Sequence, residues 1–170
     1  MDVRRLAMVA GYGIRALAQL VRDQVFDYTV PALKLAHFGK RSYIHSRCSL
    51  RSPENISIGD SVSVGPDTCL WASPNAKLVL NDDVALAPGV RIFTSSRGLK
   101  DLDIPIMEQP WTEADVIIGK GAALFTNVIV LCGVTIGEGA VIGAGSIVAT
   151  DVPAFAVMVS GPARIIRSRK

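Results

Sequence analysis

The sequence predicts an all-β solenoid, in which short parallel strands wind around a continuous aliphatic core. From residue 116 to residue 151 an aliphatic residue falls at every sixth position, and alanine, valine or, in the last repeat, serine lies two positions earlier. The aliphatic positions are Ile118, Leu124, Val130, Ile136, Ile142 and Val148. A period of six fits neither an amphipathic helix nor one alternating strand, but it fits short strands joined by tight turns, with both positions pointing inward. Gly119, Gly137 and Gly143 follow three of the aliphatic residues, where a sharp turn favours a residue without a Cβ.

Length and composition agree with a single solenoid domain. The chain has 170 residues, of which 49% are hydrophobic, and this is enough for a continuous core. Only 6% of the residues are aromatic while 15 are glycine, a balance expected where the interior is narrow and turns are frequent. Stacked coils bury the aliphatic columns one above another, so no single repeat is stable alone.

The distribution of charge and of cysteine narrows the function classes. The net charge is +3, and the basic excess lies at the two ends of the chain without a basic stripe interleaved with aromatic residues. We therefore expect no nucleic-acid partner. Cys48, Cys69 and Cys132 are odd in number and widely spaced, which predicts a reduced, cytoplasmic protein.

Residues 1–41 are expected to form an N-terminal helical cap. Apolar residues between Leu6 and Val25 recur at helical spacing and charged residues occupy the remaining arc, as in an amphipathic helix. Arg15 interrupts the apolar run, which argues against a signal peptide and against a transmembrane span. Such a helix either covers the open end of the solenoid, as a repeat array requires, or makes peripheral contact with a membrane surface.

Residues 42–152 are expected to form the solenoid, and residues 153–170 a short C-terminal extension. The six-residue columns are present before residue 93 as well, with slips of two and of four residues between groups. Their aliphatic positions are Ile44, Leu50, Ile58, Val64, Leu70, Leu80, Leu86 and Ile92. The turn after Ile58 begins with glycine, like the turn after Ile118, which argues that both segments belong to one solenoid.

Residues 93–115 are expected to leave the solenoid as a protruding loop, because the column is interrupted between Ile92 and Ile118. Long loops in compact repeat proteins are usually functional. Serine, threonine, acidic and basic residues are more frequent in this loop than in the rest of the chain. The loop therefore either contributes to a site or forms an arm that packs on a neighbouring subunit.

Four stretches in the C-terminal third resemble one protein family. They read GVTIG at residues 133–137, VIGAGSIV at 141–148, DVP at 151–153 and GPARIIR at 161–167. Together they resemble the left-handed β-helix acyltransferases with hexapeptide repeats, and most closely the galactoside, maltose and polysaccharide O-acetyltransferase branch. The resemblance implies a left-handed solenoid, an exception to the usual right-handed crossover rule, with acetyl-CoA lying along the coils. It also implies a homotrimer with three acceptor sites in the clefts between subunits.

The resemblance assigns residues to the cofactor. Ala144 and Gly145 match the small residues along which the pantetheine arm of CoA runs, and a surface poor in Cβ atoms permits close approach. Arg164 and Arg167 match the basic residues near the phosphate end, where charge-assisted hydrogen bonds would form. A solvated basic tail is the alternative interpretation of the two arginines. No metal is expected.

The chain departs from this family in the protruding loop. Members of the branch place a catalytic histidine in a stretch like Thr-Ser-x-His, and Arg97 occupies that position here. Arginine stays protonated at physiological pH and cannot accept a proton from a sugar hydroxyl. Glu108 and Asp101 remain as weak candidates for a base in the loop. His37 lies in the cap region and His45 in the first coil, about two coils below the loop, and neither is expected to replace the missing histidine.

The sequence thus favours a CoA-dependent acetyltransferase acting on a saccharide acceptor of the cell-surface polysaccharide type. Without the histidine, an amine acceptor is favoured over a hydroxyl, because a neutral amine attacks a thioester without prior deprotonation. The alternative is a catalytically silent trimeric solenoid that serves as a binding or scaffold subunit. A zinc-dependent carbonic anhydrase on the same solenoid would need three histidine ligands, and the chain has 2 histidines.

Overall fold

The computed structural model describes residues 34–159 and 164–168, which form an all-β parallel solenoid with three faces. Each coil contributes one short strand to each face. The first coil contains β1 (His37–Phe38), β2 (Tyr43–Ile44) and β3 (Ser49–Arg51). The second contains β4 (Ile56–Ile58), β5 (Ser63–Val64) and β6 (Cys69–Trp71). The third contains β7 (Leu78–Leu80), β8 (Ala85–Leu86) and β9 (Arg91–Phe93).

A hairpin separates the third coil from the fourth. It consists of β10 (Ser95–Arg97) and β11 (Trp111–Glu113). The fourth coil contains β12 (Val116–Ile118), β13 (Ala123–Leu124) and β14 (Ile129–Val130), and the fifth contains β15 (Thr135–Ile136), β16 (Val141–Ile142) and β17 (Ile147–Val148). Two further strands follow, β18 (Ala156–Val159) and β19 (Arg164–Ser168). Short 3-10 turns lie at Pro53–Asn55 and Ile106–Glu108, and the described residues contain no α-helix.

The three faces are continuous sheets along the solenoid. Face A has the order β1-β4-β7-β12-β15, and face C has the order β3-β6-β9-β14-β17. Face B has the order β2-β5-β8-β13-β16-β18-β19, and its neighbours pair in parallel until β19, which runs antiparallel to β18. Every corner of the prism is therefore a stack of turns, one turn from each coil.

The predicted inward positions are buried, residue by residue. From the second coil to the fifth, each aliphatic column residue and the residue two before it are buried, beginning with Ile56 and Ile58. Strand register keeps the columns vertical, because Leu80 pairs with Ile118 and Ile118 pairs with Ile136. Burial of this apolar surface, at roughly 25 cal/mol per Å², is the main source of stability. The all-β solenoid predicted from the period of six is thus confirmed.

The corner between face A and face B shows why its turns carry glycine and aspartate. A Cβ on Gly119 would lie 2.6 Å from the backbone nitrogen of Glu138 in the next coil, so only glycine allows the coils to stack this closely. In the first coils, where Gly39 and Gly59 occupy the same position, carboxylates bridge the turns as well. Asp60 Oδ1 accepts a hydrogen bond from the Lys40 amide at 2.7 Å, and Asp82 Oδ1 accepts one from the Asp60 amide at 2.9 Å. These bonds satisfy amide groups that the strand ladders leave unpaired.

The parallel pairing extends beyond the limits of the six-residue pattern at both ends. β1 pairs with β4, so the solenoid begins before residue 42, and β18 pairs with β16, so face B continues past residue 152. Each of these strands is positioned by pairing with a strand of the neighbouring coil, and the six-residue period does not mark it. The predicted N-terminal helix, with its possible roles as a cap or a membrane contact, falls within residues 1–33, which lie outside the described part of the chain. Within the ranges that the structure does describe, no helix has the length and apolar character needed to cross a membrane.

Substitution of one column residue tests the inward assignment. Ile118→Ala removes a side chain with 0% exposure, and we expect it to lower the free energy of unfolding by about 2–5 kcal/mol, because it leaves a cavity in the prism. Ile117→Ala, one position away and 37% exposed, is the matched control and should cost about 1 kcal/mol or less. Denaturant unfolding at a fixed protein concentration measures both. Equal losses in the two variants would contradict the assignment.

Candidate functional site

The hairpin projects from the corner between face C and face A. It follows β9 on face C and precedes β12 on face A, and Arg97 pairs opposite Trp111 across its two strands. Thr94 fixes the base of the hairpin, since its buried Oγ1 accepts a hydrogen bond from the Ser73 amide at 2.8 Å and contacts Ser73 Oγ at 3.0 Å. The polar groups of the hairpin are therefore held against the solenoid by bonds to the coil below.

Arg97, at the position that the resemblance assigns to a histidine, stacks on an aromatic ring. Its guanidinium carbon lies 4.1 Å from the centroid of the Trp111 ring, and its Nη1 donates a hydrogen bond to the Gln109 carbonyl at 3.3 Å. A cation over the face of an indole ring is held by the ring quadrupole. Arg97 takes no part in the ion pairs found among the described residues, which lie elsewhere in the solenoid.

Gln109 closes the hairpin from inside. Its side chain is 3% exposed, its Nε2 donates to the Asp101 carbonyl at 2.6 Å, and its Oε1 accepts from the Asp101 amide at 3.3 Å. This pair of bonds fixes the backbone of Asp101. The carboxylate of Asp101 accepts a hydrogen bond from the Asp103 amide at 3.0 Å and remains exposed. The structure thus positions Asp101 firmly, although sequence reasoning gave no sign that Gln109 would be buried.

A cavity of about 520 Å³ opens beside the hairpin, against the loop that joins its two strands. It is lined by the cations Arg97 and Lys100, by Asp101, and by neutral residues that include Ser96 and Thr112. Of the two carboxylates that the sequence offered as bases, Asp101 therefore lies at this cavity. Glu108 is exposed in the 3-10 turn and does not line it.

A smaller cavity of about 190 Å³ lies on the side of the hairpin that faces the coils below. Arg51, Ser73, Ser95, Trp111 and Glu113 line it. Glu113 Oε2 accepts a hydrogen bond from the amide that follows Pro74 at 3.0 Å, which ties β11 to the solenoid. Sequence reasoning did not single out Glu113. Its alternation with Trp111 along β11 is the signal that could have placed both side chains on one face.

The residues that match the cofactor surface lie at the corner between face B and face C. Ala144 and Gly145 form the turn between β16 and β17, and both are exposed. Gly145 has φ +71°, which accounts for a glycine there, and a Cβ on it would meet no atom within 4 Å. The turn therefore presents an open surface without large side chains.

Arg164 and Arg167 lie on β19, the exposed last strand of face B. Arg164 pairs with Val159, and a Cβ on Gly143, beside Ala144, would lie 2.8 Å from Val159 Cγ1. Arg164 therefore lies near the same corner as Ala144, while Arg167 pairs with Val157 further along the strand. The structure brings Arg164 closer to the small-residue turn than the sequence spacing alone suggested.

The cysteines and histidines do not form a second site. Cys132 Sγ lies 3.6 Å from Ser96 Oγ, and burial raises the pKa of Cys48 to about 11, which keeps that thiol protonated and unreactive. His37 and His45 belong to the first coil, two coils away from the hairpin. Across residues 34–159 and 164–168, no group of three or more potential ligands among His, Cys, Asp and Glu is arranged to hold a metal ion.

The amino-acid sequence has relatives that are named as acetyltransferases, although no protein-family model matches it. It is 35% identical over 162 residues to one from Schizosaccharomyces pombe, which covers 95% of this chain and 65% of that protein. It is 30% identical over 134 residues to WcaF of Escherichia coli, named as a colanic acid biosynthesis acetyltransferase, with coverage of 79% and 70%. A relative in Mycobacterium tuberculosis is 26% identical over 144 residues, 84% of this chain and 47% of that protein. The chain thus spans less than two thirds of the length of the first and third of these relatives.

Solved structures share the fold along most of the chain. A hexapeptide-repeat acetyltransferase of Vibrio cholerae complexed with acetyl-CoA superimposes with a TM-score of 0.77 at 26% identity, covering 89% of this chain and 82% of that one. A maltose O-acetyltransferase of Clostridium difficile gives a TM-score of 0.75 at 26% identity, with coverage of 92% and 84%. A galactoside acetyltransferase in complex with coenzyme A gives 0.72 at 25% identity, with coverage of 82% and 68%.

Proposed function

The chain belongs to the hexapeptide-repeat acetyltransferases, and we propose that it transfers the acetyl group of acetyl-CoA to a saccharide acceptor. The observation that carries the proposal is that a solved relative of the same fold holds acetyl-CoA. The silent-scaffold alternative is not favoured, because the relatives are named as acetyltransferases. A reduced, cytoplasmic location belongs to the proposal, since Cys48, Cys69 and Cys132 are all free thiols in the fold.

We place CoA at the corner between face B and face C. Ala144 and Gly145 leave this surface open, so an extended pantetheine arm can approach the backbone closely. Arg164 and Arg167 are exposed on the neighbouring β19, where their guanidinium groups are available to phosphate. CoA phosphates beside β19 would account for both arginines on this strand.

A bulky side chain at this corner tests the cofactor placement. CoA at about 100 times its Kd stabilises a binding protein by about 2.7 kcal/mol, and we expect Ala144→Trp to lose most of that stabilisation because the indole fills the open surface. Ala154→Trp is the matched control, since Ala154 is exposed at a different corner of the prism. Thermal shift with CoA and the KM for acetyl-CoA provide the measurements. Full CoA stabilisation of Ala144→Trp would contradict this placement.

The acceptor is expected to present an amine to the hairpin. The relatives named for maltose, galactoside and colanic acid support a saccharide. Arg97 cannot accept a proton from a hydroxyl, whereas a neutral amine needs no base to attack the thioester. For a hydroxyl acceptor, Asp101 is the better candidate for the base, because it lines the cavity beside Arg97 and Glu108 does not.

Matched sugars test the acceptor class. Loss of a general base costs about 10²–10⁴ in rate, so kcat/KM with glucosamine should exceed that with glucose by at least about 10². Any transfer to glucose should fall in Asp101→Asn and persist in the control Asp103→Asn, whose carboxylate has no hydrogen-bond partner among the described residues. Thioester loss and acetylated product are measured together. If no acceptor causes loss of the acetyl-CoA thioester, the proposed activity is refuted. If transfer to glucose falls in Glu108→Gln and persists in Asp101→Asn, the base is Glu108.

We further propose that the solenoid is left-handed and assembles as a homotrimer, as the family resemblance implies. Face C supports assembly, since Trp71, Leu131 and Ile147 are exposed on its outer surface by 37%, 39% and 40%. An exposed apolar surface of this kind marks an association site. The hairpin supports it too, because Leu102 is 93% exposed and Met107 is 75% exposed, as expected of an arm that packs on a neighbour.

A charge on face C tests the assembly. We expect sedimentation velocity to give a trimer for the unmodified chain, and Leu131→Asp to weaken it because the carboxylate would be buried without a partner. Ile117→Asp is the control, because Ile117 lies in the same coil on face A and is exposed to a similar degree, 37%. A monomeric unmodified chain would refute the trimer, and equal dissociation of both variants would remove face C from the interface.

A further inference from the structure

Arg97 is a cation without a counter-charge. It uses one of its five N–H donors, in the bond to the Gln109 carbonyl, and it forms no ion pair with any residue that the structure describes. Its side chain is half-buried. A partly desolvated guanidinium with free donors is a strong binding group for an oxyanion, because carboxylate and phosphate match its planar fork.

The position of this guanidinium is fixed in advance. The Trp111 ring supports it from one side at 4.1 Å, and the Gln109 carbonyl holds Nη1. Gln109 is itself locked by two hydrogen bonds to the Asp101 backbone. A donor held in place before the ligand arrives loses little side-chain entropy on binding, which favours affinity.

The cavity at Arg97 has the composition of an anion site. Arg97 and Lys100 supply two positive charges at its wall, and Asp101 supplies one negative charge that already accepts the Asp103 amide. Its volume of about 520 Å³ admits a monosaccharide with a substituent, since ligand sites span roughly 300–1,000 Å³.

We propose that the acceptor sugar carries an anionic group, a carboxylate or a phosphate, and that Arg97 binds it. Arg97 is then a specificity-determining residue that selects acidic acceptors over neutral ones. This inference rests on the proposed acetyl transfer, whose acceptor class it narrows. Lys100 adds to the attraction from the exposed rim of the same cavity.

The phosphates of CoA are the other source of an oxyanion. The hairpin leaves the solenoid between face C and face A, whereas Ala144 and Gly145 lie between face B and face C. Within one chain the width of face C separates the Arg97 cavity from the corner to which we assign the cofactor, so the proposed transfer requires the homotrimer, with the cavity of one subunit set against the cofactor corner of another. Arg164 and Arg167 already provide cations near that corner, which leaves Arg97 for the acceptor.

Three amino sugars that differ at one carbon test the proposal. Glucosamine 6-phosphate and glucosaminuronic acid supply the phosphate and the carboxylate, and glucosamine lacks both. A charge-assisted contact predicts that at least one acidic sugar has a KM lower than that of glucosamine by about 10-fold or more. Arg97→Gln should abolish this preference, because the KM of the acidic sugar rises to that of glucosamine measured in the same variant. Arg97→Lys, which keeps the charge and loses the fork, should retain part of it.

Two variants control for charge and for folding. Arg41→Gln removes the same charge from a residue that also donates a single bond, from Nε to Ser61 Oγ at 3.2 Å, but does not line the cavity. It should keep the preference. Lys100→Gln changes the cavity without touching the Arg97 and Trp111 stack, and should reduce the preference by a smaller factor. This variant keeps the test valid if Arg97→Gln loosens the hairpin.

The outcomes separate this inference from the proposed function. Equal KM values for all three sugars, with glucosamine acetylated, would overturn the inference and leave acetyl transfer in place. A rise in the KM for acetyl-CoA alone in Arg97→Gln would assign the anion to the cofactor and also overturn it. If no sugar is acetylated, the proposed function fails. Calorimetric binding of glucosamine 6-phosphate against glucosamine, with CoA present, then tests the anion contact alone, and equal affinities would overturn it.

Discussion

The structure depends on one constraint, which is that two side chains in every six residues are buried on each of the three faces of the stacked coils. Each coil can close only if both inward positions hold residues that fit the prism, such as Val116 and Ile118, and each coil buries the one before it. Because the coils must stack in this way, the turns fall at fixed corners. The outward positions and the corners are then free to carry chemistry without cost to the core.

The hairpin uses this freedom. It is inserted at a corner after a complete coil, so its residues contribute nothing to the aliphatic columns. Its shape comes from bonds of its own, through Gln109 inside it and through Thr94 and Glu113 to the coil below. A substitution within the cavity can therefore change the chemistry while the solenoid remains intact.

The core could be predicted from the sequence because the six-residue period identifies the inward positions within each repeat. Ile56, Ile58 and the later columns were placed correctly without knowledge of any partner strand. The limits of the solenoid and the interior of the hairpin could not be predicted in this way. β1 and β18 are defined by pairing with another coil, and the burial of Gln109 results from a contact with Asp101, eight residues away. Such features depend on the assembled backbone and leave no period in the sequence.

In the proposed function, arginine at the position that the resemblance assigns to a histidine links the acceptor's nucleophile to its charge. A neutral base at this position would activate a hydroxyl and would bind an anion weakly, whereas Arg97 does the reverse at every physiological pH. Under the two proposals, an acceptor suited to this hairpin brings its own nucleophile, which an amine does, and is held best if it also brings an anion. The support of Arg97 by Trp111 fits this double requirement, because an arginine that only filled space would not need its charge stacked and its donors left free. An acidic amino sugar satisfies both conditions with one molecule.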